Sequence, residues 1–424
     1  MRFPHRMKGD WNENERRNFE KLFRFYILWF RLICVPIKSH KPSHIYTLYS
    51  VLLTLNTYTA IAAIMADVFQ HADDLERVME NFRVIFPSLS IMWVQLSMRF
   101  QKKSMERLMY LAAAFKWEDA QAKKPADDSF KMTAILPVIK PATLRISIFF
   151  VTFHTCHVIL RLALGEGRPL SINAYYGVNV SSSPLYEMVN VSQFFMAANC
   201  FPLFFGYTGL YAFLLTIACS QLEKLRASIL NIRQRNDTSE EDSDAENGKV
   251  KEGGKVQTSQ QVFSHMQQQL NDCVRHHQDI LRFMNALEEA ISPVLMGQFI
   301  IILTGMCFAA FSFAMSLGNV LNMAQSILEY TAFLVQLNAY CWFGSELTQL
   351  AESVRDAAYG CDWVGTPVSF PKCLVFIIAA ASKEFTLTAG KFVPVTRSTM
   401  LNVINQTFSY LMFLMQVKEK NKHV

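Results

Sequence analysis

The chain has 424 residues, of which 51% are hydrophobic and 13% aromatic, and its 34 phenylalanines are too many for a surface that faces only water. With a formal net charge of +6, this composition is typical of a protein that crosses a membrane several times. The nine cysteines are scattered and never form a Cys-x-x-Cys pair, which argues against a disulfide framework and a zinc site. No cleavable signal peptide is expected, because apolar character starts only near Phe25.

The chain begins with a basic segment, 1–44, in which 18–35 has helical character and is expected to lie along the membrane interface. A shorter apolar segment at 371–389 is interrupted by Lys383 and Glu384, so it need not cross the membrane. Seven apolar stretches predict an all-α, polytopic membrane protein with seven transmembrane helices, occupying one domain over 1–424. These spans are 45–66, 80–99, 142–164, 188–219, 292–316, 322–344 and 395–417.

Lysine and arginine set the expected orientation. They concentrate in the N-terminal segment and in the connections from the second to the third span and from the fourth to the fifth, and are few on the other side. The positive-inside rule therefore predicts a cytoplasmic N-terminus and an extracellular C-terminus, the reverse of a G-protein-coupled receptor. The sequon at Asn179 then lies outside and is the expected glycosylation site, whereas Asn190 lies near the membrane.

The cytoplasmic part has two expected features. The segment 233–261 is polar, acidic and nearly free of hydrophobic residues, which predicts a disordered loop. Around it, three apolar seams at heptad-like spacing predict a cytoplasmic helical anchor bundle, in which His277 is a buried structural histidine rather than a metal ligand. The seams are Leu222, Leu225, Ile229 and Ile232; Leu270, Val274, His277, Leu281 and Met284; and Leu347, Leu350, Val354 and Ala358.

The last span, 395–417, has one polar face. At about 100° per residue, the members of a stripe fall within about 40° of Asn402, and Val417 borders it at about 60°. The stripe comprises Asn402, Gln406, Ser409, Phe413 and Gln416. Polar groups in a bilayer need a partner or water, so the stripe is either hydrogen-bonded to neighbouring helices or lines a wet pore.

Five motifs in their order along the chain resemble the insect odorant receptor family. The resemblance covers most of the chain and is strongest in its second half. The motifs are ACSQLEKL (218–225), CVRHHQDILRFMNALEEAISPVLMGQF (273–299), CWFGSEL (341–347), AAYGCDWVG (357–365) and LTAGKFVPVTRSTMLNVINQTFSYLMFLMQV (387–417). The chain lacks the long fourth-to-fifth loop of the family's shared co-receptor, so it resembles an odorant-tuning subunit. Its partial match to the ending of gustatory receptors, with Gln416 followed by Val417, keeps a gustatory-type channel as the alternative.

The resemblance implies a ligand-gated, non-selective cation channel in the plasma membrane of a sensory neuron dendrite. Four subunits, including the co-receptor, would surround a pore lined by the last helix of each, within the lipid bilayer. The gate implied is an apolar constriction at Phe413 and Val417, with Gln416 beside them. A metabotropic receptor is disfavoured because Asp/Glu-Arg-Tyr and Asn-Pro-x-x-Tyr signatures are absent, and an enzyme because the sequence has no nucleophile elbow, P-loop or metal-ligand cluster. No cofactor, metal or nucleic acid is expected.

The resemblance also places a volatile odorant in the outer half of the subunit. With the N-terminus inside, that half comprises the start of spans two, four and six and the end of span three. Such a site should be apolar and aromatic, with His157 and Tyr330 as orienting polar groups. The candidates are Ile85, Phe86, Phe153, His157, Phe194, Phe195, Tyr330 and Phe333.

Overall fold

The computed structural model describes residues 13–35, 43–115, 131–164, 168–232, 259–316 and 319–422. Within these ranges the chain folds into ten α-helices and one two-stranded hairpin. The expected disordered loop falls outside the described residues, apart from 259–261, which begin a helix. The prediction of an all-α membrane-protein fold is confirmed in this coarse form.

The elements follow one another in a simple order. They are α1 (Glu13–Leu32), α2 (His44–Gln70), α3 (Leu75–Phe100), α4 (Lys102–Ala114), α5 (Lys131–Leu164), α6 (Leu185–Leu230), α7 (Ser259–Met315), α8 (Val320–Gly360), α9 (Ser369–Ala381), β1 (Thr388–Ala389), β2 (Val393–Pro394) and α10 (Arg397–Lys422). The seven expected spans correspond to α2, α3, α5, α6, α7, α8 and α10.

Length and hydropathy distinguish these helices. Among the described residues, α2, α5, α6 and α7 are each long and apolar enough to cross a membrane. The other three expected spans, α3, α8 and α10, have polar and charged residues within their length and do not meet the same criterion. The 13 residues of α9 extend about 20 Å, too short to cross, which agrees with the expectation for that segment. The seven-span topology stays a prediction.

The α6 helix forms the centre of the bundle. Residues 203–223 are all buried, so this helix is enclosed on every side and is apolar all round rather than amphipathic. Two tyrosine hydroxyls connect it to neighbouring helices: the Tyr211 hydroxyl donates to the Tyr340 carbonyl at 2.8 Å, and the Tyr26 hydroxyl donates to the Gly209 carbonyl at 2.9 Å. The first contact joins α6 to α8, and the second joins it to α1.

The three heptad-like seams lie on the long ends of α6, α7 and α8. Ile229, Leu270, Met284 and Val354 are all fully buried within the chain. His277 is buried among them, and the described residues contain no group of three or more His, Cys, Asp or Glu side chains that could hold a metal ion. The seams therefore hold the three helices of one subunit together.

A small hairpin separates α9 from α10 and was not expected from the sequence. Ala389 pairs with Val393 across an antiparallel register. The hairpin is attached to α7, because the Glu288 carboxylate accepts from the Thr388 backbone N–H at 3.0 Å and the Ser292 carbonyl accepts from the Gly390 N–H at 2.8 Å. The hairpin thus fixes where α10 begins.

Candidate functional site: a cavity and a polar helix face

A partly open cavity of about 90 Å³ lies between α3, α5, α6 and α8. It is near the end of the bundle where the chain turns from α2 into α3 and from α7 into α8; we call this the loop end. The loop that follows α5 also contributes to the wall, through Ile172. The bundle interior therefore contains a space shaped by four helices.

Most of the cavity wall is apolar and aromatic. Phe333 from α8 and Phe204 from α6 meet edge to face at 5.8 Å, and Phe150 from α5 contacts Phe201 at 6.2 Å. Phe333 also lies against α7 at Gly305, where an added methyl group would come within 2.7 Å of its ring. The absence of a side chain at that position lets the ring seat fully between α7 and the cavity.

A hydrogen-bonded cluster lies beside the cavity at the loop end. Glu80 of α3 is at its centre, accepting from Asn322 Nδ2 at 2.9 Å and from Asn173 Nδ2 at 2.8 Å. Arg161 of α5 approaches the same carboxylate at 3.4 Å, and Arg83 at 3.7 Å. One carboxylate thereby joins α3, α5, α8 and the loop after α5, which positions the helices around the cavity.

Arg83 links this cluster to the cavity wall. Its guanidinium is buried and donates through Nη1 to the Asn322 carbonyl at 2.9 Å and to Ser326 Oγ at 3.2 Å. The same side chain lines the cavity together with Gln325 and Glu329 of α8. Intramembrane charged groups are costly unless they are compensated, so these residues give an otherwise apolar cavity a defined polar side.

A wider groove of about 710 Å³ runs along the surface between α5 and α8. Phe150 and Leu328 line both the groove and the cavity. Phe149 and Ile327, which also line the groove, are exposed on the outside of the bundle. The cavity thus lies directly behind an apolar surface groove.

The residues predicted to bind odorant are placed as follows. Phe333 lines the cavity, and Phe153 lines the adjoining groove. The other six line neither. Ile85 and His157 are buried, and His157 lies one turn beyond the cavity-lining His154. The ring of Phe86 stacks on that of Phe308 with 4.9 Å between their centroids, and Tyr330 is half-buried next to Glu329. Phe194 and Phe195 are exposed on the outside of α6. The structure therefore brings Phe333 and Phe153 to the site region, and the odorant role of all eight stays a prediction.

Sequence reasoning missed the polar side of the cavity. Arg83 and Glu329 both lie inside expected spans, and a charged residue within a span is itself a sign of a functional site. That signal was available. In contrast, nothing in the sequence distinguished Met196 and Cys200, which line the cavity, from Phe195, which faces outward.

The polar stripe of α10 is exposed on the surface of the chain. Asn402, Gln406, Ser409 and Gln416 are all exposed, and the Ser409 hydroxyl donates only to its own helix, at the Asn405 carbonyl. The helix is held to α7 and α8 by other residues, among them Val403 and Thr407, which are buried. The stripe therefore makes no hydrogen bond to another helix among the described residues, although the side chain of Val417 lies outside them.

Comparisons with known proteins identify the class and then the family. An all-helical membrane bundle with a cavity near one end is the architecture of a helical membrane receptor. The sequence model described as 7tm Odorant receptor matches residues 74–408, and the chain belongs to this family. Its relatives are odorant receptors and not enzymes, as predicted.

Individual relatives are distant but consistent. Odorant receptor Or2 of Anopheles gambiae is 23% identical over 60% of this chain, and the matched part spans 62% of the relative's own length. Odorant receptor 2a of Drosophila melanogaster is 23% identical over 66% of this chain and 68% of its own. The odorant receptor coreceptor of Anopheles gambiae is 23% identical over 34% of this chain, and the expected odorant-tuning type fits the two longer matches above.

Solved structures match over almost the full length. The insect olfactory receptor OR5 from Machilis hrabei, solved in complex with eugenol, superimposes with a TM-score of 0.72 over 96% of this chain and 100% of that chain. The sequences are 13% identical, so this likeness shows a shared fold.

Proposed function

We propose that this chain is the odorant-binding subunit of a ligand-gated, non-selective cation channel, in which a volatile odorant in the cavity opens a pore lined by α10. The observation that carries the proposal is the cavity between four helices, largely apolar and aromatic with a few polar groups, since such cavities are where small molecules bind in helical bundles. Membership of an odorant receptor family and the likeness to a receptor solved with an odorant-sized ligand support it.

The α10 stripe supports the pore. Exposed amides facing lipid would be strongly unfavourable, so in the bilayer this face needs water or other subunits against it. Four last helices around a central axis, one from each subunit, would supply both. Of the two explanations for the stripe, a water-lined pore therefore fits better than hydrogen bonding within one bundle.

The α8 helix provides a physical connection between the two sites. Phe333 lines the cavity, and further along the same helix Asn338 Nδ2 lies 3.5 Å from Met400 Sδ of α10. Beyond that, Ser345 Oγ accepts from the Arg397 backbone N–H at 2.9 Å. A ligand that shifts the packing of α8 around Phe333 would thus act on the start of α10.

Filling the cavity tests the proposed odorant site. Ala332 of α8 lines it and is buried, so Ala332→Phe would place a ring where the odorant lies. We expect the half-maximal concentration of the best agonist from a volatile panel to rise at least about tenfold, because overpacking displaces the ligand. The measurement is odorant-evoked current in cells that also express a coreceptor, with surface expression quantified.

The control is Ala62→Phe on α2, where the alanine is exposed and away from the cavity. Ala62→Phe should leave the half-maximal concentration of the agonist within about twofold of that of the unmodified chain. An Ala332→Phe receptor with normal surface expression and an unchanged curve would mean that odorants bind elsewhere.

The proposed topology has seven spans, a cytoplasmic N-terminus and an extracellular C-terminus. It rests on the asymmetry of lysine and arginine between the two sides. It places the loop end outside, with Asn179 exposed there as the glycosylation site. It also places the α6–α8 seams, α9 and the hairpin in the cytoplasm.

Antibody access tests this orientation. An epitope placed after Val424 is expected to stain unpermeabilised cells, because the last span ends outside. The matched control is the same epitope within 233–261, which should stain only after permeabilisation. Staining of the 233–261 epitope in unpermeabilised cells, with the Val424 epitope stained only after permeabilisation, would show the reverse topology. The cavity would then not face the outside of the cell.

The proposed partners are an odorant receptor coreceptor in a heterotetramer and the lipid bilayer of the sensory neuron dendrite's plasma membrane. Large apolar side chains on α9 and the hairpin are exposed in the single chain, among them Phe376 and Phe392. Exposed apolar surface on the water side of a membrane protein marks a contact with another subunit. The gustatory-type alternative has less support, since the matching family is that of odorant receptors.

A further inference from the structure

The polar side of the cavity has three atoms without partners. Within the part of the chain that the structure describes, Arg83 Nε, Gln325 Oε1 and Glu329 Oε2 are buried and form no hydrogen bond. All three side chains line the cavity, and Gln325 and Glu329 are one turn apart on the same face of α8. Arg83 already donates through Nη1 to α8, so its Nε is the nitrogen left over.

These three atoms lack hydrogen-bond partners because of where they lie, although charged groups are nearby. Arg83 and Glu329 interact electrostatically, but they form no ion pair among the described contacts, where Arg83 pairs instead with Glu80. An unpaired polar atom in a low-dielectric interior is unfavourable, and its pairing by a ligand is correspondingly favourable. The cavity therefore selects for a ligand that pairs with both a donor and an acceptor.

An ionised ligand is disfavoured for a separate reason. Moving a charge from water into a desolvated space is costly unless an opposite charge pairs with it. Arg83 and Arg161 both already face the Glu80 carboxylate, so these guanidinium groups have an anionic partner. The cavity therefore favours a neutral ligand.

We propose that the cavity recognises a small neutral alcohol, whose hydroxyl donates to Glu329 Oε2 and accepts from Arg83 Nε. A hydroxyl is one donor and an acceptor in a single atom, whereas an ether or aldehyde only accepts and an ammonium only donates. The volume of about 90 Å³ is below the ~150 Å³ of an engineered cavity that holds benzene, so the apolar part is short. This inference rests on the proposed odorant site and adds the chemical class of the ligand.

The test compares matched volatiles on the full chain expressed with a coreceptor. Primary alcohols of three to eight carbons are each compared with the methyl ether, aldehyde and amine of equal heavy-atom count. We expect the alcohol to have a half-maximal concentration about tenfold below that of its ether, since the ether leaves a buried acceptor unpaired and that costs about this factor. Ethers or aldehydes as potent as alcohols, or no response to any alcohol, would overturn the assignment.

The variant Glu329→Leu identifies the group responsible. We expect the ratio of ether to alcohol half-maximal concentrations to fall to about threefold or less, because the hydroxyl loses the oxygen to which it donates. This ratio is taken within one receptor, so it does not depend on how much protein reaches the surface. Glu187→Leu, at an exposed position on α6, is the matched control and should keep the ratio of the unmodified chain.

The two assignments fail in different ways. An unchanged ratio in Glu329→Leu, with Ala332→Phe still weakening the response, would reject the alcohol class and keep the cavity as the odorant site. An Ala332→Phe receptor with unchanged responses would reject the cavity itself.

Discussion

Replacing Phe413 by serine is expected to raise the ligand-independent current several-fold. Phe413 lies on the polar stripe of α10, and 60% of its side chain is exposed in the single chain. In the proposed heterotetramer, this ring lies at the pore axis with the last helices of the other subunits and closes the pore by excluding water, with no charge required. A serine hydroxyl would stabilise water at that position and hold the constriction open. The measurement is holding current in cells without odorant, compared with current after block of the channel.

The chain provides a closely matched control on the same helix. Phe408 is 57% exposed, but five residues from Phe413 it points about 140° away, toward the outside of α10. Phe408→Ser removes the same ring and should leave the resting current unchanged. Equal resting currents in Phe413→Ser and in the unmodified channel, at equal surface expression, would show that this ring does not form the gate. Val417→Ser should also raise the resting current, since Val417 is the second predicted gate residue.

Introducing a charge at Phe376 is expected to abolish co-purification of the partner subunit. Phe376 lies on α9 and is 72% exposed, whereas Phe370, Leu374 and Ile377 of the same helix are buried against the chain's own core. Burial of one phenylalanine contributes about 1.5–3 kcal/mol, and burial of an unpaired carboxylate costs more than that. In a tetramer the contact is repeated around the ring, so Phe376→Asp should reduce recovered partner at least about tenfold.

Two controls separate assembly from folding. Phe376→Leu keeps an apolar side chain and should keep most of the partner. Asn271→Asp adds the same charge at an exposed position on α7, where the side chain already accepts a hydrogen bond from Gln267 at 3.1 Å. Full recovery of the partner with Phe376→Asp would exclude α9 as the subunit contact.

The apolar seams of α6, α7 and α8 show why the spacing of apolar residues could not locate the contact between subunits. Heptad-like apolar positions in α6, α7 and α8 predict helix packing, and the helices do pack. The same pattern cannot tell whether the partner helix belongs to the same chain or to another. Val354 and Met284 are fully buried within one subunit, whereas Phe376 of α9 and Phe392 of the hairpin are exposed and available to a partner. The apolar character of α9 was readable from sequence, but the division between its two faces was not.

At the proposed odorant site, the sequence likewise predicted the helices but not the residues that line the cavity. The helices that line the cavity were expected, because charge asymmetry and span order determine which halves lie together. The lining residues depend on helix rotation, since one step along a helix turns a side chain by about 100°. Phe195 thus faces outward while Met196 lines the cavity. That rotation is set by long-range contacts, such as those of Gln193 on α6, whose Oε1 accepts from the Ser171 hydroxyl and the Ile172 N–H in the loop after α5.

The sequence by itself determined that this protein is a helical membrane protein of the odorant receptor type with a polar last helix. Those properties follow from hydropathy over about 20 residues, from helical periodicity and from motif order, all of which are local. Only the tertiary structure decided that Arg83 of α3 and Glu329 of α8 share one cavity, because the two residues are far apart along the chain and no local pattern pairs them. It also decided that the α10 stripe remains exposed, since that depends on which other faces of α10 the remaining helices cover.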